Sequence, residues 1–112
     1  MSDECIFCKI IKGDIETQFV YEDDEIVAFK DIHPQAPVHL LVVPKKHIPT
    51  VNALDESDAP LIGKMVFVAK GLAKDFGVNE SGYRLIINVE RGGGQLVFHI
   101  HMHLVGGWEN DK

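Results

Sequence analysis

The chain has 112 residues, a hydrophobic fraction of 46% and a formal charge of −6 with its histidines neutral. That size and apolar content fit one folded domain, here residues 1–112, and exclude a disordered chain. The acidic balance argues against a DNA or RNA polymer as partner, because that needs Lys and Arg against the phosphates; a single nucleotide in a local pocket stays open.

No apolar run approaches the roughly 20 residues that span a membrane. The opening Met-Ser-Asp-Glu-Cys has neither a basic segment nor a long apolar stretch, so no secretory leader is expected and the expected location is the cytoplasm. A protomer this small gains stability readily from a partner, which makes a homodimer the expectation.

Residues 5–12 carry apolar Ile6, Phe7, Ile10 and Ile11, a spacing that fits a small helix stopped by Gly13. Residues 19–21 and 26–29 read as strands, and the acidic residues 22–25 between them as a hairpin turn. Residues 31–37 form a loop, because Pro34 and Pro37 remove donors and restrict their neighbours. Residues 38–43 are a strand, apolar except for His39 and ended by Pro44.

From residue 58 to about 76 the period changes. Ile62, Met65, Val66, Ala69, Leu72, Ala73 and Phe76 recur at steps of three and four, which predicts one amphipathic helix. Ser57 or Asp58 caps it, Pro60 suits its first turn and Gly77 ends it. Residues 83–89 form another strand, with Asn88 in need of a partner if buried. A loop at 90–95 leads to a last strand at 97–105. The order predicts an α+β domain: a mainly antiparallel sheet of about five strands with one long and one short helix.

The last strand reads His99-Ile-His-Met-His103. Same-face neighbours in a strand stand roughly 6.5–7 Å apart, so the three histidines line one face and Ile100, Met102 and Leu104 pack on the long helix. Burying three adjacent titratable rings costs free energy without giving packing in return. Two chemical uses remain. Alternate histidines on a strand can chelate a metal. Neutral imidazole, with an ordinary pKa near 6.5, is also a good nucleophile toward phosphorus. The preceding Arg91-Gly-Gly-Gly-Gln95 favours the second use: its glycines let backbone N–H groups turn inward as an anion nest, and Gln95 adds a side-chain donor. Cys5-x-x-Cys8 is either half of a metal site or a redox pair.

The stretch His99-Ile-His-Met-His103-Leu-Val105 resembles the signature of the histidine triad family. The likeness extends through Cys5–Ile11, Asp31-Ile32, Pro34–Pro37, His39, Pro44–Ile48, Tyr83-Arg84, Asn88 and Gly93–Gln95, nearly the whole chain. It is similar to the nucleotide-binding branch, whose members are mostly dimeric purine nucleoside phosphoramidases. The resemblance implies that His101 attacks the α-phosphorus, giving a nucleotidyl-histidine that water releases as the nucleoside monophosphate. It implies that His103 and His39 contact phosphate oxygens or move protons, which with His99 makes four candidate catalytic histidines. Asn88, Gly94, Gln95 and the backbone at Leu96 and Val97 would hold the phosphate, and Asp31 would accept from the ribose hydroxyls. Ile6, Phe7, Ile10, Phe29, Ile32 and Leu41 would wall the purine. Some relatives bind a structural zinc with residues matching Cys5, Cys8, His47 and His99, which would pin the first helix to the histidine strand. One departure stands out: Leu96 occupies a position where relatives carry a polar residue such as Ser. Two other activities fit the same signature, cleavage of dinucleoside polyphosphates and regulatory nucleotide binding with little turnover. No role is assigned to His33.

Overall fold

A computed structural model describes residues 5–108; all but Cys5 of the opening stretch read for a leader lies outside the described residues. The elements in chain order are α1 (Ile6–Lys12), β1 (Phe19–Glu22), β2 (Ile26–Lys30), β3 (Val38–Pro44), α2 (Ala59–Asp75), β4 (Tyr83–Ile86) and β5 (Met102–Gly106). The strands form one sheet in the order β1-β2-β3-β5-β4, with every neighbouring pair antiparallel. The α+β architecture expected from the sequence is therefore the observed one.

Strand alternation gives the sheet two dissimilar faces. On one, Ile26, Ala28, Leu40, Val42, Met102 and Leu104 pack against Met65, Val68, Ala69, Leu72 and Ala73 of α2. On the other, Val27, Phe29, Leu41 and Val43 pack against Cys5, Phe7, Cys8 and Ile10. The long helix thus serves the core alone, and the short one covers the face that carries the histidines. Gly13 closes α1 with φ of 89°, donating its N–H to Ile10 O. Within α2 the stripe turns one residue from the expected line: Val68 is buried, whereas Val66 is 42% exposed.

The last two strands are shorter than predicted. β4 ends at Ile86, and β5 begins at Met102 and not at 97. The β3–β5 register stops at Val42↔Met102. Beyond it stands Pro44, which has no N–H to continue a ladder and whose carbonyl accepts from the His99 ring at 2.7 Å. The chain from 87 to 101 therefore leaves the sheet and anchors elsewhere, with Ile100 N–H donating to Ile48 O. His99 and His101 thus both lie outside β5, and both stay on the α1 side against the Phe7 ring.

Candidate active site

A cavity of about 440 Å³ opens on the α1 side of the sheet. Its apolar wall is Phe7, Ile10, Phe29, Leu41 and Val97; Ile6, Ile32 and Leu96 stand at its rim. Asp31, His39, Asn88, Gly94, His101 and His103 supply the polar atoms. Most residues expected around a nucleotide therefore lie around one space. Two do not: Gln95 and His99.

The ring tautomers follow from fixed partners. His101 Nδ1 lies 2.7 Å from His99 O; a carbonyl only accepts, so Nδ1 carries the proton. His101 Nε2 then holds the lone pair and has no partner among the described residues. Burial pushes the His101 pKa down, which keeps the ring neutral near pH 7. The Phe7 ring meets it edge-on, centroids 5.0 Å apart and planes at 90°.

His39 is set from the opposite side. The Gln35 backbone N–H donates to its Nδ1 at 2.9 Å, so its proton sits on Nε2 and is directed to His103 Nδ1, also at 2.9 Å. His103 must then carry its own proton on Nε2. These two histidines meet because β3 and β5 pair His39 with Val105 and Leu41 with His103, which makes them diagonal neighbours on one face. Asp31 Oδ2 lies 3.4 Å from His39 Nε2, while Asp31 Oδ1 accepts the His33 N–H at 2.8 Å. Burial, and then the neighbouring His101 and His39, push the His103 pKa down to about 4.

His99 is fully buried behind this array. Its Nε2–H donates to Pro44 O, which leaves the Nδ1 lone pair facing Cys5 Sγ at 3.3 Å, Cys8 Sγ at 3.6 Å and His47 Nδ1 at 3.1 Å. Those four atoms could hold a metal ion. The donor set is two thiols and two imidazoles, closely spaced and with the His99 tautomer already correct. Burial and the adjacent Cys5 push the Cys8 thiol up to about 11, and burial lowers His99 to about 4. A divalent cation would reverse the thiol preference by stabilising thiolate. His99 is thus placed with the cysteines and does not line the cavity.

The glycine loop works differently from the expected nest. Gly93 N–H donates to Glu90 O, Gly94 N–H to Arg91 O and Gln95 N–H to Glu90 O, so all three are spent inside the loop. Gln95 is only 2% exposed. Its Nε2 donates to Pro49 O at 2.7 Å and Val97 O at 3.0 Å, and its Oε1 accepts Glu90 N–H at 2.8 Å. The residue expected to donate to a phosphate instead ties the loop down. Glu90 itself sits at φ 64° and ψ 169°, a region nearly confined to glycine, held there by these bonds. The donors left over are the N–H groups of Leu96, Val97, Phe98 and His99, which have no acceptor among the described residues.

Sequence reasoning missed Thr17, Lys30, His33 and Gln35, which also line the cavity. For Gln35 the missing signal is understandable, since its contribution here is a backbone N–H and leaves no side-chain trace.

A family model described as the scavenger mRNA decapping enzyme C-terminal binding region matches residues 4–110. A crystal structure of a HIT family hydrolase from Legionella pneumophila Philadelphia 1 superposes with a TM-score of 0.92 at 52% identity, covering 95% of each chain. This chain belongs to the histidine triad family. Among histidine triad proteins it is 50% identical over 107 residues to purine nucleoside phosphoramidase of Escherichia coli K12, covering 96% of this chain and 90% of that one. A HIT family hydrolase from Clostridium thermocellum matches with a TM-score of 0.92 at 46% identity, covering 96% of this chain and 93% of that one.

Proposed function

We propose that this histidine triad hydrolase cleaves the P–N bond of purine nucleoside phosphoramidates through a covalent intermediate on His101. The observation that carries the reading is the His101 tautomer: Nδ1–H is held by a carbonyl, and the Nε2 lone pair belongs to a neutral ring lining the cavity. The apolar slot between Phe7, Ile10, Phe29 and Leu41 suits a flat purine. Asp31 retains lone pairs for ribose hydroxyls, and its acceptor-only chemistry fits them. The N–H groups at 96–98 and the His103 Nε2–H suit phosphoryl oxygens, whose charge grows in the transition state.

The chemistry divides into two steps. First the Nε2–P bond forms and the P–N bond to the amine breaks, the departing nitrogen taking one proton from solvent. Water then attacks phosphorus, the P–Nε2 bond breaks, the nucleoside monophosphate leaves and one water proton returns to bulk. His101 ends neutral, as it began. His39 holds His103 in the tautomer that donates.

We further propose that the Cys5, Cys8, His47 and His99 cluster binds zinc, which a mixed thiolate and imidazole set favours. Such a zinc supplies a structural tie between α1 and the 87–101 segment, and the chemistry stays with His101. A homodimer is supported by β4, which stands at a sheet edge with Leu85 at 36% exposure. No helix of the described residues is long and apolar enough to cross a membrane. The cytoplasm is the compartment that suits two free thiols, and the net charge of −6 suits a lone nucleotide over a nucleic-acid polymer.

The test is incubation with adenosine 5′-phosphoramidate, with AMP release followed by chromatography and acid-quenched protein by mass spectrometry. Wild type should turn over and show a nucleotidyl adduct; His101→Ala should lose roughly a thousandfold or more in rate and lack the adduct. Equal, slow release by both proteins would refute the mechanism.

A further inference from the structure

Beside the cavity that holds His101 and His103 lies a second one of about 450 Å³. Ile6, Leu96 and Val97 line both, so the two spaces share a wall. Pro49 and Phe98 form the rest of its apolar lining, and Cys5 and His47 of the metal cluster close it. Among the described residues its lining includes no Lys, Arg or carboxylate. Leu96 is 90% exposed at the boundary and Ile6 46% exposed.

We propose that the second cavity receives the apolar body of the amine expelled from phosphorus, with Leu96 and Phe98 as specificity-determining residues. The inference rests on the phosphoramidase reading and adds the class of leaving group: amines with an aromatic or long aliphatic substituent. With the purine in the slot, the ribose at Asp31 and the phosphorus at His101, the phosphoryl group meets the backbone at 96–97. The one remaining substituent on phosphorus is the amine, and the adjoining space across Leu96 and Val97 is the second cavity. An uncharged lining favours an apolar group there. It offers no cationic side chain to a polyphosphate chain, so a second nucleotide is disfavoured on the same side. Covering Leu96 with substrate removes apolar surface from water only for a bulky leaving group, and that difference is expressed as specificity.

The experiment compares two adenosine 5′-phosphoramidates, one with an unsubstituted amine and one carrying 2-phenylethylamine, on the full-length wild type, Leu96→Ser and Phe98→Ala. The quantity read is the ratio of kcat/KM for the two substrates. The intrinsic reactivities of the two P–N bonds cancel when that ratio is compared between proteins. Wild type should favour the phenylethyl substrate, and each variant should lower the ratio by about tenfold. AMP release from both substrates with a ratio unmoved by either variant would overturn the leaving-group assignment and leave the phosphoramidase reading standing. An unmoved ratio with a change in oligomeric mass for Leu96→Ser would overturn it in favour of a second copy of the chain covering Leu96. Release from neither substrate would overturn both.

Discussion

Replacing Gln95 by methionine keeps the side chain's length and bulk while deleting both ends of its hydrogen bonding. Three contacts vanish: Glu90 N–H to Oε1 at 2.8 Å, and Nε2 to Pro49 O at 2.7 Å and Val97 O at 3.0 Å. A buried partner left unpaired costs about 1–3 kcal/mol. Pro49 is exposed and recovers water, whereas Glu90 and Val97 are only partly exposed. The sum is about 2–3 kcal/mol. For a domain of this size that lowers Tm by roughly 8–12 °C. The loss falls on the segment that sets Glu90 in its unfavourable backbone region and delivers Leu96 and Val97 to the cavity. Urea unfolding with a fitted m-value and calorimetric titration with AMP separate stability from binding. Gln95→Met should unfold at clearly lower urea concentration with m unchanged, and Gln95→Glu should do no better, because a carboxylate would face Pro49 O and Val97 O. An unchanged Tm with AMP affinity weakened tenfold would refute this and return Gln95 to the ligand.

Removing metal from the purified protein with a strong chelator should release one equivalent and lower Tm by roughly 5 °C or more, with Cys5 and Cys8 becoming titratable by a thiol reagent; an unchanged Tm, checked by elemental analysis before and after, would exclude a structural metal. Acid should destabilise the fold in two stages. The His103 pKa is lowered to about 4 by burial, so its neutral ring stabilises the fold fully above its ordinary 6.5 and that share is lost as pH falls from 6.5 toward 4. Asp23, held low by the Tyr21 hydroxyl and the Glu25 and Ile26 N–H groups, contributes above its ordinary 3.9 and is lost below it. Thermal melts from pH 8 to 3 should therefore fall in both windows, and His103→Asn should shrink only the upper fall, the rest of which comes from His99 and His101, also lowered by burial.

What the residues revealed and what they hid follow from the range of the forces involved. Period 3.6 in α2 and the near-continuous apolar run of β3 are local, and both elements appear where expected. The ends of β4 and β5 depend on distant partners: β5 stops pairing where β3 runs out at Pro44, 58 positions earlier in the chain. Alternation placed the three histidines on one face, and all three lie on the α1 side against Phe7 or the cavity, but only His101 and His103 line the cavity. The glycine loop misled for a related reason. Three glycines permit an inward nest, but Glu90 O and Arg91 O accept the N–H groups of Gly93, Gly94 and Gln95. Polar side chains such as Gln95 carry no sign of whether they face a ligand or the protein's own backbone.

Among the described residues two clusters have metal-ligand chemistry, Cys5, Cys8, His47 and His99, and Asp31, His39 and His103, each with its ligand atoms within 4.8 Å of one another. Proximity does not distinguish them, and the tautomers do. His99 gives its proton to Pro44 O and presents a lone pair to the thiols. His39 receives the Gln35 N–H on Nδ1, so its Nε2 toward Asp31 and His103 carries a proton and offers no lone pair to a cation. A metal there would require the proton to move to Nδ1, against a backbone N–H 2.9 Å away. The second cluster is therefore a fixed chain of donors and acceptors that aims the His103 Nε2–H away from His39. Backbone groups, Pro44 O, His99 O and Gln35 N–H, thus give four histidines distinct tautomers that suit the proposed metal ligand, the proposed nucleophile and an oriented donor with its support.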